Sequence, residues 1–146
     1  FTDTLFKTED VVITRKNSNF VYTSPTDLHG KKVGTLSGYG YCDFDRLFAE
    51  GTITAEPVAT HSQNIRKLHM GRIDAYLGNI HVSPYYMKQL GLDPQLFTLS
   101  TTSIFSFELA FLVKNSKPQL LNDLNLFIQT IKTDGTLSQL VDKYIQ

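Results

Sequence analysis

Apolar and polar positions along the chain switch repeatedly between the period of a strand and the period of a helix. "DVVITRK" (10–16) is β-branched and apolar and predicts a strand. A polar connection with Pro25 follows, then a short strand at "KKVGTLS" (31–37). "DFDRLFAE" (43–50) places Phe44, Leu47 and Phe48 at helical spacing, and Gly51 stops it. "TITAEPVA" (52–59) reads as a strand that Pro57 confines to an edge or an irregular pairing. In "THSQNIRKLHMG", Thr60 and Gln63 form a capping box, Ile65 and Leu68 face inward, and Gly71 ends the helix. "RIDAYLG" (72–78) is a further strand. Ser83-Pro84 predicts an N-cap with proline at the first helical position, the helix running to Leu90 with Gly91 beyond it. "QLFTLS" (95–100) and "FELAFLVKN" (107–115) predict two more strands, the second the most apolar. The chain finishes in two amphipathic helices. One stripe is Leu120, Leu121, Leu124, Phe127, Ile128 and Ile131; the other is Leu137, Leu140, Val141, Tyr144 and Ile145. "TDGT" (133–136) separates them, and Thr136 with Gln139 repeats the capping box. No internal repeat or low-complexity segment is present.

Strands alternating with helices predict an α/β fold with a mainly parallel sheet, flanking helices and right-handed crossovers. In such sheets ligands lie beyond the carboxyl ends of strands, beside helix N-termini. The loop in "KKVGTLSGYGYCD" (31–43) stands at such an end. Gly38 and Gly40 let the backbone approach a ligand, Ser37 offers a hydroxyl, and a helix starting at Asp43 presents free N–H groups to an anion. The competing reading is a plain turn, and the loop by itself divides the two evenly. It is neither a dinucleotide fingerprint nor a phosphate-binding P-loop, because the third glycine and the Gly-Lys-Ser/Thr are missing. Asp43 and Asp45 already complement the helix dipole and compete with an anionic ligand.

Composition removes several classes. The 146 residues are 41% apolar, with 14 basic and 14 acidic side chains and no net charge. No clustered basic excess invites nucleic acid. No run of apolar residues reaches membrane-spanning length, and no secretory leader is visible at "FTDT". The single cysteine, Cys42, forms no internal disulfide and reads as a small residue packed in the first turn of a helix. His29, His61, His69 and His81 lack ligand spacing with carboxylates, so no metal site is expected. Ser37, His61 and Asp74 could be drawn as a hydrolytic triad. However, "TLSGY" is not a nucleophile elbow, and the expectation is that the chain is not an enzyme.

Four segments carry a family resemblance. "DLHGKKVGTLSG" resembles the "dLkGkkvgv..Gt" segment of the bacterial extracellular solute-binding proteins, family 3, the amino-acid-type periplasmic binding proteins of ABC importers. "KLHMGRIDAYLGN" is similar to that family's "aL..GriDa...d", and "TDGTLSQLVDKYI" to its closing "dGtl..i..ky". "FTDTLFKTEDVVITRKNS" resembles "FSdPYy...lvlvvrk.s", where the family's chain passes from its first lobe to its second. Each motif is degenerate alone, but the four stand in the right order at the right separations along almost the whole chain.

The resemblance implies a type II periplasmic binding protein-like fold with two lobes that close on a solute. One lobe would be complete here and the other a remnant. Residues 12–108 would form the second lobe; 1–11 and 109–146 would supply hinge strands and C-terminal helices of an incomplete first lobe. The family's opening third, with its ligand-clamping arginine, is not in this chain. The expectation is therefore a fragment or reduced relative, whose uncovered apolar stripes favour a homodimer or domain-swapped assembly. Ser37, Gly38, Tyr39, Tyr41, His61 and Asn79 become the expected ligand-binding residues, with Thr60 and Ser62 at the same junction. Asn79 stands where the family often has an acid that pairs with a ligand ammonium. A neutral amide brings no countercharge, which shifts the expectation toward neutral or anionic ligands. Asp74 reads as a strand-end carboxylate bonded to backbone N–H groups. The function implied is an extracytoplasmic, periplasmic solute-binding component of an importer, with a small-molecule solute and a membrane permease as partners and no cofactor. The alternative is a sensing or protein-interaction module of the same fold.

Overall fold

The computed structural model describes residues 1–145, with side chains through Lys143. Five strands, β1 (Phe6–Arg15), β2 (Lys32–Leu36), β3 (Thr54–Val58), β4 (Ala75–Asn79) and β5 (Phe97–Leu109), form one sheet in the order β3-β2-β4-β1-β5. The helices are α1 (Asp43–Ala49), α2 (His61–His69), α3 (Val82–Gln89), α4 (Pro118–Thr133) and α5 (Thr136–Ile145). By contacts the chain divides into a unit of residues Glu9–Phe105 and a unit of Phe1–Thr8 with Ser106–Gln146.

In the larger unit β2 pairs in parallel with β3 and β4, while β1 runs antiparallel to β4 with Asp10 opposite Asn79. The sheet is therefore mixed: β2, β3 and β4 keep the expected parallel order, and β1 is antiparallel to β4. The cause is the connection: β1 reaches β2 through two short 3₁₀ turns, Lys16–Ser18 and Pro25–Leu28, and not through a helix that could carry a crossover. Pro57 sits on β3, at the sheet edge, as its missing donor requires.

Strand periodicity sorts the core into two clusters. Val12, Val33, Ala75 and Leu77 pack with Phe44 and Leu47 of α1. Val11, Ile13 and Tyr76 pack with Ile65 and Leu68 of α2 and Met87 of α3. Neighbours in β1 and β4 thus serve opposite faces. Gly34 in β2 admits α2 at close range: a Cβ there would lie 2.4 Å from Asn64 Oδ1 and 2.6 Å from Ile73 Cδ1.

In the smaller unit the N-terminal segment is tied to the chain after β5. The Thr2 N–H donates to the Phe111 carbonyl at 3.0 Å, and the Asp3 N–H to Asn125 Oδ1 at 2.8 Å. Ile128 and Ile131 of α4 are buried, whereas Leu120, Leu126 and Phe127 are exposed. The predicted stripe of α4 is therefore only partly covered. For the second stripe, Tyr144 and Ile145 lie outside the described side chains.

Three boundaries differ from the sequence reading. Residues 97–109 are one strand, not two, because the polar "TTSIFS" continues it with exposed side chains; Ala110–Asn115, read as strand from their apolar character, are not. The third helix starts at Val82 instead of capping on Ser83, which is buried inside it. Cys42 is exposed, not packed, and holds φ +51° just before α1.

Candidate functional site

The loop after β2 lies where the topology requires, at the carboxyl end of a strand flanked by parallel partners. The Ser37 N–H donates to the Val58 carbonyl at the end of β3, at 2.9 Å. The Tyr39 N–H closes a turn on the Leu36 carbonyl, with Gly38 at φ +82° in the region that favours glycine. Ser37, Gly38 and Gly40 are exposed, and Tyr39 is 64% exposed. Tyr41 turns inward: it is buried, and its hydroxyl accepts the Leu36 N–H at 2.8 Å. The Asp45 carboxylate accepts the Tyr41 N–H with both oxygens, at 3.1 and 3.0 Å. One amide that the sequence reading offered to an anion is thus already taken by the protein's own carboxylate.

α2 begins beside this loop with the predicted box. Thr60 Oγ1 accepts the Gln63 N–H, while Gln63 Oε1 accepts the Thr60 N–H at 3.2 Å. That start fixes His61, which is half-buried. Its Nδ1 is hydrogen-bonded to the Tyr76 hydroxyl, and its ring stacks on Tyr86 with centroids 5.3 Å apart and 16° between planes. Tyr85 meets Tyr86 edge-on at 5.3 Å. Burial pushes the Tyr76 phenol far above its ordinary range, so it keeps its proton at neutral pH. Burial also lowers the His61 pKa below 6.5, although Asp10 opposes that shift.

Asn79 ends β4 and starts α3. Its Oδ1 accepts the N–H groups of His81 at 3.0 Å and Val82 at 3.2 Å, replacing the cap that had been assigned to Ser83. Its Nδ2 donates to the Glu9 carbonyl and to Asp10 Oδ1, both at 3.1 Å. Asp10 is half-buried, and desolvation raises its pKa, with the Asn79 bond and the field of His61 acting the other way. Tyr41 and Tyr76 both feel the Asp10 charge, and Tyr76 that of Tyr39, so these groups share one locality at the strand ends.

Asp74 lies elsewhere. It precedes β4 and accepts the Lys32 N–H at 2.8 Å, at the amino end of β2. Lys32 and Leu36 are separated by about 13 Å of strand, so Asp74 cannot join Ser37 and His61 in a triad. Sequence reasoning missed Asp10, Tyr76 and Tyr86. Asp10 was read as the first residue of an apolar strand, and Tyr76 was buried in another. Only the antiparallel pairing of β1 with β4 brings Asp10 to Asn79. Among the described residues no group of three or more His, Cys, Asp or Glu could hold a metal, and no helix is long and apolar enough to cross a membrane.

A mixed sheet with flanking helices is the architecture of the type II periplasmic binding proteins, a class of solute-binding modules. The model of the bacterial extracellular solute-binding proteins, family 3, matches residues 1–146, and the chain belongs to that family. It is 28% identical over 129 residues to the putative ABC transporter arginine-binding protein 2 of Escherichia coli (strain K12), covering 86% of this chain and 51% of that protein. Among solved structures it superposes on an ancestral arginine-binding protein bound to arginine, with TM-score 0.74 and 24% identity over 100% of this chain and 64% of the other. It also superposes on the GluR0 ligand-binding core in complex with L-glutamate, with TM-score 0.79 and 14% identity over 100% and 63%. The chain thus spans about half the length of its curated relative and under two thirds of these structures.

Proposed function

We propose that the protein is the extracytoplasmic, periplasmic solute-binding component of an ABC importer. It binds a small, polar, amino acid-like solute in a cleft between its lobes and presents it to a membrane permease. The observation that carries this reading is the convergence of chemistry at one end of the sheet. An exposed glycine loop, Ser37–Tyr39, stands beside half-buried Asp10 and His61 and buried Tyr76, at the carboxyl ends of parallel strands. Small-molecule sites combine a few fixed polar groups with aromatic walls in this way. In this reading Ser37 and Gly38 contact the solute, Tyr39 and His61 wall it, and Tyr41 and Asn79 hold the loop and the helix start from behind. Family membership and the arginine named for two of the relatives support an amino acid-like solute. Ser37 and His61 are given no catalytic role, since Asp74 lies at the other end of β2.

A second reading is favoured by one observation: Leu120, Leu126 and Phe127 leave an apolar face of α4 open, which suits a protein-interaction module or a homodimer. A thermal-shift screen of the full-length protein against the L-amino acids separates the two. A bound amino acid at a hundredfold excess over its Kd stabilises by about 2.7 kcal/mol and raises the melting point. No shift with any of them, together with a dimer in light scattering, overturns the transport reading in favour of the module.

A further inference from the structure

The charges of this chain cancel in the sequence, but the fold sorts them. In the larger unit, the carboxyl ends of the parallel strands and the adjoining helix starts (9–10, 37–45, 59–62 and 79–82) carry Glu9, Asp10, Asp43 and Asp45 and no lysine or arginine. The opposite end gathers cations. Thr14 and Val33 both stand opposite Ala75, so Arg15, Asp74 and Lys32 lie side by side where β1 ends and β4 and β2 begin. Lys16 continues from Arg15, and Lys31 precedes Lys32. α2 ends at the same edge: Arg15 Nη1 donates to the Leu68 carbonyl at 3.4 Å, and the Arg72 N–H to the Lys67 carbonyl at 2.9 Å. Neighbouring strands are about 4.8 Å apart, so these charges share a strip roughly 15 Å wide.

Cations beside the end of α2 complement its free carbonyls. That accounts for Arg15, Arg66 and Lys67, but not for Lys16, Lys31 and Lys32 at the strand ends. Lys67 pairs with Glu56 at 2.8 Å. Arg15, Lys16, Lys31, Lys32, Arg66 and Arg72 enter none of the ion pairs among the described residues. Neighbouring acids are engaged with backbone: Asp74 accepts the Lys32 N–H, Asp93 the Gln95 N–H, and Asp27 the N–H groups of Thr23 and Ser24. Folding alone gains little from holding like charges together.

Apolar side chains are interleaved with these cations. Met70, between Arg66 and Arg72, is 56% exposed. Leu96, 47% exposed, belongs to the 3₁₀ turn Pro94–Leu96, which lies against Lys16–Ser18. A cationic face with apolar tips suits an anionic bilayer, whose phosphates meet the cations while its acyl boundary takes the apolar groups. Nucleic acid would call for open aromatic faces. Here Phe97 is buried, and Phe20 is covered by Lys31, whose Nζ lies 5.2 Å from the ring centre.

We infer that this end of the larger unit is a membrane-docking surface for anionic lipid headgroups. It lies at the other end of β2 from the Ser37–Tyr39 loop, so a docked molecule keeps that loop turned away from the lipid. The inference does not depend on which solute the protein binds.

Cosedimentation of the full-length protein with vesicles tests it, using phosphatidylcholine alone and phosphatidylcholine with an equal part of phosphatidylglycerol. The wild type is expected on the mixed vesicles only, with binding that falls as salt rises. Each cation near an anionic surface contributes about fivefold, so K16Q/K32Q/R72Q is expected to bind about a hundredfold more weakly. These three side chains are exposed, and the melting point is expected to stay unchanged. D43N, which removes a negative charge at the other end, is expected to bind like the wild type. M70S is expected to lose severalfold on vesicles and nothing toward soluble polyphosphate. The inference is overturned by wild-type protein that ignores the mixed vesicles, by a triple variant that binds as well as the wild type, or by a gain in D43N as large as one patch cation contributes. Polyphosphate bound as tightly as vesicles, with M70S affecting neither, overturns it in favour of a soluble polyanion. If the triple variant does not fold, the wild-type vesicle comparison and M70S still decide the matter.

Discussion

Replacing Asn79 with aspartate restores the acid that the family often carries at this position, and the structure makes that change destabilising. Oδ1 would still accept from His81 and Val82, so the start of α3 survives. Two donations at 3.1 Å, to the Glu9 carbonyl and to Asp10, would be lost, at about 1 kcal/mol each. The new carboxylate would also stand against Asp10 Oδ1. Two like charges 4 Å apart repel by about 4 kcal/mol at an effective dielectric of 20, and partial exposure of Asp10 reduces this to about 1–2 kcal/mol. The sum is about 3–4 kcal/mol at pH 8, or about 1.5–2 M in the urea midpoint for a slope of about 2 kcal/mol/M. The sign with pH follows from linkage. A crowded carboxylate pair has a raised folded pKa, so the folded state binds more protons than the unfolded state and stability falls as pH rises. N79D is therefore expected to approach the wild type as pH falls to about 4.5, where one shared proton turns the repulsion into a hydrogen bond. Urea melts of both proteins at pH 8 and pH 4.5 measure this. A deficit that is absent at pH 8, or that grows on acidification, would refute the placement of Asp10 against Asn79.

Further outcomes follow from other contacts. His61 should titrate below 6.5 in NMR, because burial disfavours the imidazolium, and lower still in D10N, where the opposing charge is gone; a midpoint at or above 6.5 contradicts the half-buried site. The sign for stability is the reverse of a salt-bridged histidine: this contribution is complete above the unfolded value of 6.5 and is lost as pH falls from there through the lower folded pKa. G34A drives a methyl into Asn64 and Ile73 and should lower stability by about 1–3 kcal/mol in thermal melts, whereas an unchanged melting point would mean that α2 does not approach β2 so closely. On α4, I128A should cost about 2–4 kcal/mol, since Ile128 is fully buried, and F127S less than about 0.5 kcal/mol, since Phe127 is 55% exposed; equal costs would show that the helix presents a different face.

Much of this molecule was legible in one dimension, wherever the physics is local. The α2 capping box needs only Thr60 and Gln63 three positions apart, and it forms as read. Pro57 lacks a donor wherever it lies, so its strand had to be an edge or irregularly paired, and it is an edge. Asp74 has a backbone N–H within reach at the strand start and takes it. Where local signals conflicted, the reading slipped: polar "TTSIFS" is strand because its neighbour in the sheet supplies the pairing, and apolar "AFLVKN" is not.

What tertiary structure alone decided is the character of the site. The sequence shows an amide at position 79 and an anion-seeking glycine loop, and together they suggested a neutral or negative ligand. In the fold, Asp45 of the first turn of α1 occupies the Tyr41 amide, and the antiparallel return of β1 beside β4 brings Asp10 to Asn79 from 69 residues away. Hydrogen bonding along the chain is short-ranged and can be read from spacing. Which charge meets which partner across a sheet depends on strand order and register, and those are set by how two faces of apolar side chains pack at once.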